Sequence, residues 1–226
     1  MKTIAIVGAG PKLGLSIAKK FGENGFQVAL ISRSQENLDS LVSQLQIIGI
    51  EASGFAADLY DSDQVIQAFA KVKEKYGFID VLEFSPTSGH FPATLASEVT
   101  EENTLDHFQG LVIGAIRSVQ QVLPGMLKKG TGAILFTTGL QAIFPIPEMG
   151  NVGIASSGLR YYANNLHAEL APKGIYVGHL SLGVIIKPGT QTDPKYIADA
   201  WFEMYTKKNK AEETFPIGVT PETIIW

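Results

Sequence analysis

The run Thr3-Ile4-Ala5-Ile6-Val7-Gly8-Ala9-Gly10-Pro11-Lys12-Leu13-Gly14 decides the fold. Its apolar, partly β-branched start reads as a strand, and Leu13–Asn24 follows with the apolar spacing of a helix. Gly8, Gly10 and Gly14 sit between them in a GxGxxxG pattern. A glycine-spaced turn from strand to helix lets backbone N–H groups approach a pyrophosphate, whose charge the helix N-terminus favours. A tight turn without a ligand uses glycine too. Its place at the first junction of a chain that repeats strand and helix favours the phosphate-binding reading.

Outward from that loop the chain keeps alternating. Strands are expected at Thr3–Val7, Gln27–Ile31, Ala52–Ala56, Val81–Phe84, Ala133–Thr137 and Tyr176–Ser181. They are nearly continuous apolar runs, as strands covered by helices on both faces should be. Helices are expected at Leu13–Asn24, Gln35–Ile47, Ser62–Tyr76, Glu101–Leu127 and Asn151–Leu170. In Ser62–Tyr76, Val65, Ile66, Phe69 and Val72 recur at helical spacing, and Asp61 or Ser62 can cap the start. This rhythm predicts a parallel sheet of βαβ units in one domain, residues 1–226. Prolines interrupt the tail from Lys187, so residues 187–212 are expected to form a flap on the substrate side. That stretch contains a helix near Tyr196–Tyr205, and a last strand is expected near Thr214–Ile217.

The end of the second strand bears on which dinucleotide fits. An NAD site places a carboxylate there for the ribose 2′-OH. This chain has Ser32-Arg33, which leaves room for a phosphate and offers a forked cation to bind it; Lys12 can add a second charge. NADP(H) is therefore expected over NAD(H), the alternative being that Arg33 is an ordinary exposed loop cation. At the end of the third strand, Asp58 is placed to bond an adenine amine while Leu59 packs the ring. Asp58 equally suits a plain turn.

Composition removes other classes. At 45% hydrophobic and 18% charged, the 226 residues can bury a real core, which excludes disorder. Without cysteine there is no disulfide framework, thiolate metal site or cysteine nucleophile, and no metal site is expected. A net charge of −4 argues against a nucleic-acid surface. Apolar runs fall short of a membrane span, and Met1-Lys2-Thr3-Ile4 enters a strand directly, leaving no room for a signal peptide. A cytoplasmic protein is the expectation.

Taken together, these residues resemble the short-chain dehydrogenase/reductase family across nearly the whole chain. The resemblance is carried by Gly8–Gly14, Ser32-Arg33 and Asp58-Leu59, then by Leu123-Pro124-Gly125-Met126, which looks like the end of the long central helix. Ala133–Gly139, Ala155-Ser156, Ala168-Glu169-Leu170 and Ala171–Val177 carry it further. It implies a single Rossmann-type doubly wound α/β sheet of about seven parallel strands with helices on both faces. It implies oxidoreductase activity on a small carbonyl or alcohol, and a homodimer or homotetramer. The implied cofactor-binding residues are Gly8, Gly10, Lys12, Leu13, Gly14, Ser32, Arg33, Asp58, Leu59, Ser85, Pro86, Gly183 and Ile185.

The family's catalytic half is missing. Its chemistry uses a Ser and a Tyr-x-x-x-Lys pair, often with an Asn. In register with Ala155-Ser156, the Tyr position is Gly153 and the Lys position Ser157, while the Asn position falls on Leu111. The Ser position lies between Thr138 and Leu140, where Thr138 is the available hydroxyl. Tyr161 and Tyr162 lie roughly 12–14 Å along the helix from Gly153, too far to substitute. They read as packing or interface aromatics. His90 rims the expected crevice, though a lone loop histidine is usually incidental. Glu83 stands inside an apolar strand, as a perturbed acid, a cation's partner or a carboxylate held by backbone N–H groups. Three functions follow: a reductase with an altered proton route, an inactive NADP(H)-binding sensor or partner-binding protein, or a crevice reused for an unrelated ligand.

Overall fold

In a computed structural model, which describes residues 1–87 and 89–225, all strand pairings are parallel. The strands are β1 (Lys2–Val7), β2 (Phe26–Ser32), β3 (Ala52–Ala56), β4 (Val81–Phe84), β5 (Gly132–Gly139), β6 (Ile175–Leu182) and β7 (Glu212–Phe215). They form one seven-stranded sheet in the order β3-β2-β1-β4-β5-β6-β7. The order reverses at β1, which pairs β2 on one side and β4 on the other. This is the doubly wound arrangement that the alternating pattern predicts.

The period-2 alternation of each strand sends neighbouring side chains to opposite layers. Ile4 and Ile6 pack under α1 (Leu13–Glu23), α2 (Gln35–Ile47) and α7 (Pro194–Lys207). Ala5 and Val7 pack under α3 (Ser62–Tyr76), α5 (Gly114–Lys129) and α6 (Gly150–Leu170). Asp61 caps α3, accepting the N–H groups of Asp63 and Gln64 at 2.9 and 3.1 Å.

Three elements depart from the sequence expectation. The helix expected over Glu101–Leu127 is α4 (Glu101–Phe108), a π segment (Gln109–Ile113) and α5, and it runs past Pro124 to Lys129. Its stop is Gly130 in the left-handed region, so Leu123-Pro124-Gly125-Met126 does not end it. By length and composition Glu101–Lys129 is apolar enough to cross a membrane, contrary to the expectation, and half of its apolar window is buried in the protein. The last strand ends at Phe215, two residues earlier than expected, because Pro216 has no N–H to extend a ladder. Finally, the helical part of the expected 187–212 flap belongs to the core. Trp201 on α7 is fully buried, packs in the layer of α1, and donates its indole N–H to Thr137 at 2.8 Å.

Trp201→Ala is expected to lower stability by about 3–5 kcal/mol. Urea unfolding measures this, and a loss below about 1 kcal/mol would contradict a core role for α7.

Candidate active site

The parallel sheet aims every strand's C-terminal end at one edge, and a crevice opens there where the order reverses. It has two adjoining parts. The first, of about 380 Å³, lies between the Gly8–Pro11 loop, Ser32–Ser34 and Ala57–Tyr60. The second, of about 820 Å³, runs from Lys12–Gly14 past Ser85 and Thr137–Gln141 to Leu182–Ile186.

The three loop glycines do different things. Gly8 has φ +86°, and a Cβ there would lie 2.4 Å from the Cα of Pro86. The first loop and the loop after β4 can cross only because that atom is missing. A Cβ on Gly14 would meet the Ala9 backbone at 2.8 Å, so Gly14 lets α1 sit close to the loop. At Gly10 the nearest atom to an added Cβ is 3.9 Å away, leaving the loop's surface open. Helix α1 begins beside it at Lys12 with no side-chain cap and no acidic residue in its first turn. The positive end of that helix is left available to an anion.

Arg33 is exposed at the end of β2, and neither it nor Lys12 has a carboxylate partner among the described residues. Ser34 caps α2, accepting the Asn37 N–H at 3.2 Å, and both residues line the first cleft. One Asp58 oxygen accepts the Tyr60 N–H at 3.0 Å, a turn contact, while Asp58 and Leu59 also line the cleft. Ser85, Pro86, Gly183 and Ile185 line the second part. The sequence-derived cofactor residues thus come together around one continuous crevice.

The other half differs from a tyrosine–lysine site. Gly153 carries no side chain, although an added Cβ would meet nothing nearer than the Gln141 carbonyl at 3.7 Å. Ser157 is exposed, with its hydroxyl 3.4 Å from the Ala142 carbonyl. Leu111 sits buried in the π segment and lines the second cleft. A Cβ on Gly139 would fall 2.2 Å from Gln141 Oε1. The Gln141 carboxamide, which donates to Ser156 Oγ at 3.2 Å, fills the space a side chain at 139 would take. Nothing in the sequence pattern had singled out Gln141.

Thr138 lines the second cleft but is only 7% exposed. Its hydroxyl lies 2.9 Å from His179 Nε2 and 3.1 Å from Ser181 Oγ. Sequence reasoning passed over His179 because it sits in an apolar strand, and over Glu212 because it precedes the expected last strand. His90 bonds Asp106 at 2.8 Å and lies against the Tyr60 ring on an exposed loop. His167 is held by the Val177 carbonyl at 2.7 Å, and Tyr162 packs toward Phe136.

Comparison with known proteins agrees with this geometry. The short chain dehydrogenase family profile matches residues 2–195. The chain belongs to the short-chain dehydrogenase family. A 3-oxoacyl-acyl-carrier-protein reductase of Staphylococcus epidermidis is 25% identical over 214 residues, covering 94% of this chain and 87% of the relative. A short-chain dehydrogenase from Rhodopseudomonas palustris superposes with a TM-score of 0.83 at 26% identity, covering 97% of this chain and 98% of that one. L-sorbose reductase from Gluconobacter frateurii, solved with NADPH and L-sorbose, has a TM-score of 0.81 at 20% identity, covering 90% and 89%. The family's fold and nicotinamide-cofactor class therefore apply here.

Glu83 is fully buried in β4 of this short-chain dehydrogenase fold. Among the described residues it is held neither by a cation nor by backbone N–H groups but by two hydroxyls, Ser85 at 3.0 Å and Thr137 at 3.2 Å. Burial pushes its carboxyl up to about 8, outweighing those hydrogen bonds. An acid raised in the fold keeps its proton where the unfolded chain has lost it. Its stabilising share is complete below about pH 4.5 and is lost as the pH rises to about 8. Urea unfolding should show wild type losing stability relative to Glu83→Gln across that window. A pH-independent difference would contradict a protonated Glu83.

Proposed function

We propose that the protein is an NADP(H)-binding oxidoreductase acting on a small carbonyl compound or alcohol. The observation that carries this reading is the start of α1 without a side-chain cap beside the open surface of Gly10, with Arg33, which has no carboxylate partner among the described residues, on the first cleft. The backbone of Gly10–Gly14 would hold the pyrophosphate, with Lys12 adding charge and Leu13 beginning the helix. Ser32 and Arg33 would hold the 2′-phosphate, since Ser32 adds no carboxylate to repel it. Asp58 and Leu59 would take the adenine, with Ser85, Pro86, Gly183 and Ile185 around the nicotinamide end. NADPH bound there supplies the reducing equivalent for a carbonyl carbon. The name of the staphylococcal relative and the NADPH in the sorbose reductase support the choice of chemistry and cofactor.

A hydrogen bond to a charged group is worth about 1.5–3 kcal/mol. Arg33→Ala should therefore weaken NADPH binding by roughly tenfold or more and leave NADH binding nearly unchanged, measured by calorimetry. Equal effects on the two would remove the 2′-phosphate assignment.

A second reading, an NADP(H)-binding protein without turnover, is favoured by one observation: glycine at 153 and serine at 157. The space beside Gly153 admits a side chain. In a parent that binds NADPH without turnover, Gly153→Tyr with Ser157→Lys is expected to create carbonyl reduction. Strong carbonyl-dependent NADPH oxidation by the unmodified protein sinks this second reading.

Self-association into a dimer or tetramer accompanies either reading. Leu105 on α4 and Ile154 and Tyr161 on α6 are exposed, Tyr161 to 74%. Light scattering at micromolar concentration should give at least twice the chain mass, and a monomer would refute it.

A further inference from the structure

Between β5, β6, the start of β7 and helix α6 lies a line of buried and half-buried polar groups that cofactor binding does not use. Arg160 on α6 grips Glu212 with two hydrogen bonds, at 2.5 and 2.7 Å. Glu212 Oε1 lies 2.8 Å from His179 Nδ1. On the other side of the ring, His179 Nε2 lies 2.9 Å from Thr138 Oγ1. His179 is wholly inaccessible, whereas Thr138 lines the second cleft. The line thus runs from a guanidinium through a carboxylate and an imidazole to the hydroxyl of a cleft-lining threonine, which also lies 3.1 Å from the Gly139 carbonyl.

Strand register creates it. Thr138 pairs with Ser181 across β5 and β6, and His179 with Glu212 across β6 and β7. The charged groups facing the ring are Glu212 from β7 and Arg160 from α6; Thr138 and Ser181 supply neutral hydroxyls. Burial would raise the Glu212 carboxyl, but the hydrogen bonds from His179 and Arg160 outweigh it and hold the group down at about 2. Glu212 is therefore a fixed anion that orders the imidazole with a proton on Nδ1. Nε2 is then free to take the hydroxyl proton or, in the cationic ring, to return one.

We infer that Thr138 is the proton-exchanging hydroxyl of the cleft, with His179 and Glu212 as its reservoir, in place of the absent tyrosine–lysine pair. This deepens the oxidoreductase reading and rests on it. In reduction, a hydride from NADPH would go to the carbonyl carbon and the C=O π pair to its oxygen, where an O–H bond forms as the Thr138 O–H bond breaks. The imidazolium Nε2 proton passes to Thr138 Oγ1, leaving a neutral ring on Glu212. Alcohol oxidation runs the same transfers backwards. Gly139 next to Thr138 offers no competing hydroxyl at the position between Thr138 and Leu140.

The test has two arms. The first uses the protein without cofactor and methanesulfonyl fluoride, a small probe of base-activated hydroxyls. The Thr138 oxygen bonds to sulfur, fluoride leaves, and the hydroxyl proton goes to His179 Nε2. Mass spectrometry should find the label on Thr138, absent in Thr138→Val, reduced at least roughly tenfold in His179→Gln and present in Thr138→Ser. No label on Thr138, or a label undiminished in His179→Gln, overturns the proposal. The second arm uses the NADPH-loaded protein and a panel of ketones and aldehydes. Thr138→Val should lower turnover by roughly 100-fold or more with NADPH affinity unchanged, and Thr138→Ser should restore most of it. Unchanged turnover in Thr138→Val overturns the relay, as does a wild type that binds NADPH and reduces nothing. Failure of NADPH to bind overturns the cofactor reading alone, and the labelling arm then decides the relay.

Discussion

Everything in this molecule depends on β1 pairing with β2 on one side and β4 on the other. Reversing strand order at β1 sends the connections after β1 and after β4 away from each other and leaves a gap above the strand ends. Gly8 then has to cross Pro86 at a separation that no Cβ would allow. The crevice, the uncapped helix and the cation at the end of β2 are consequences of that crossing. A side chain at position 8 would displace the loop after β4, and with it Ser85, which holds Glu83.

Electrostatics divides the crevice. Its outer part presents Lys12 and Arg33, without carboxylate partners among the described residues, and a helix start without a side-chain cap, a surface that suits an anionic ligand. Behind its inner part lie polar groups bonded to one another: Glu83 with Ser85 and Thr137, and Glu212 with Arg160 and His179. Thr137 and Thr138 are adjacent in β5 and therefore face opposite layers, so the two clusters are separated by the sheet itself. Glu83 is kept neutral by burial, while Glu212 is kept charged by its partners. A buried and a half-buried carboxyl on one sheet thus have opposite protonation behaviour.

Much of this was legible in the sequence, because the signals were local. The bounds of α2, α3, β3 and β4 follow directly from periodicity and caps. Glycine spacing marked the loop Gly8–Gly14, and register against Ala155-Ser156 put Gly153 and Ser157 at the positions where the family's tyrosine and lysine are expected. What escaped depends on contacts between distant segments. The π segment at Gln109–Ile113 has no period of its own within a longer helical pattern. Helix α7 looked like part of a flap because prolines flank it, yet Trp201 finds its partner in β5, at Thr137. The Thr138–His179–Glu212 line is assembled from three strands, and each residue alone looks incidental in its own stretch.

The central claim is that this cleft takes a 2′-phosphorylated nicotinamide dinucleotide. Calorimetric titration of the unmodified protein with NADPH and with NADH tests it most directly. The account predicts one site per chain and NADPH binding at least roughly tenfold tighter than NADH, as a charge-assisted contact to Arg33 requires. Equal affinities, or no binding of either, would contradict it.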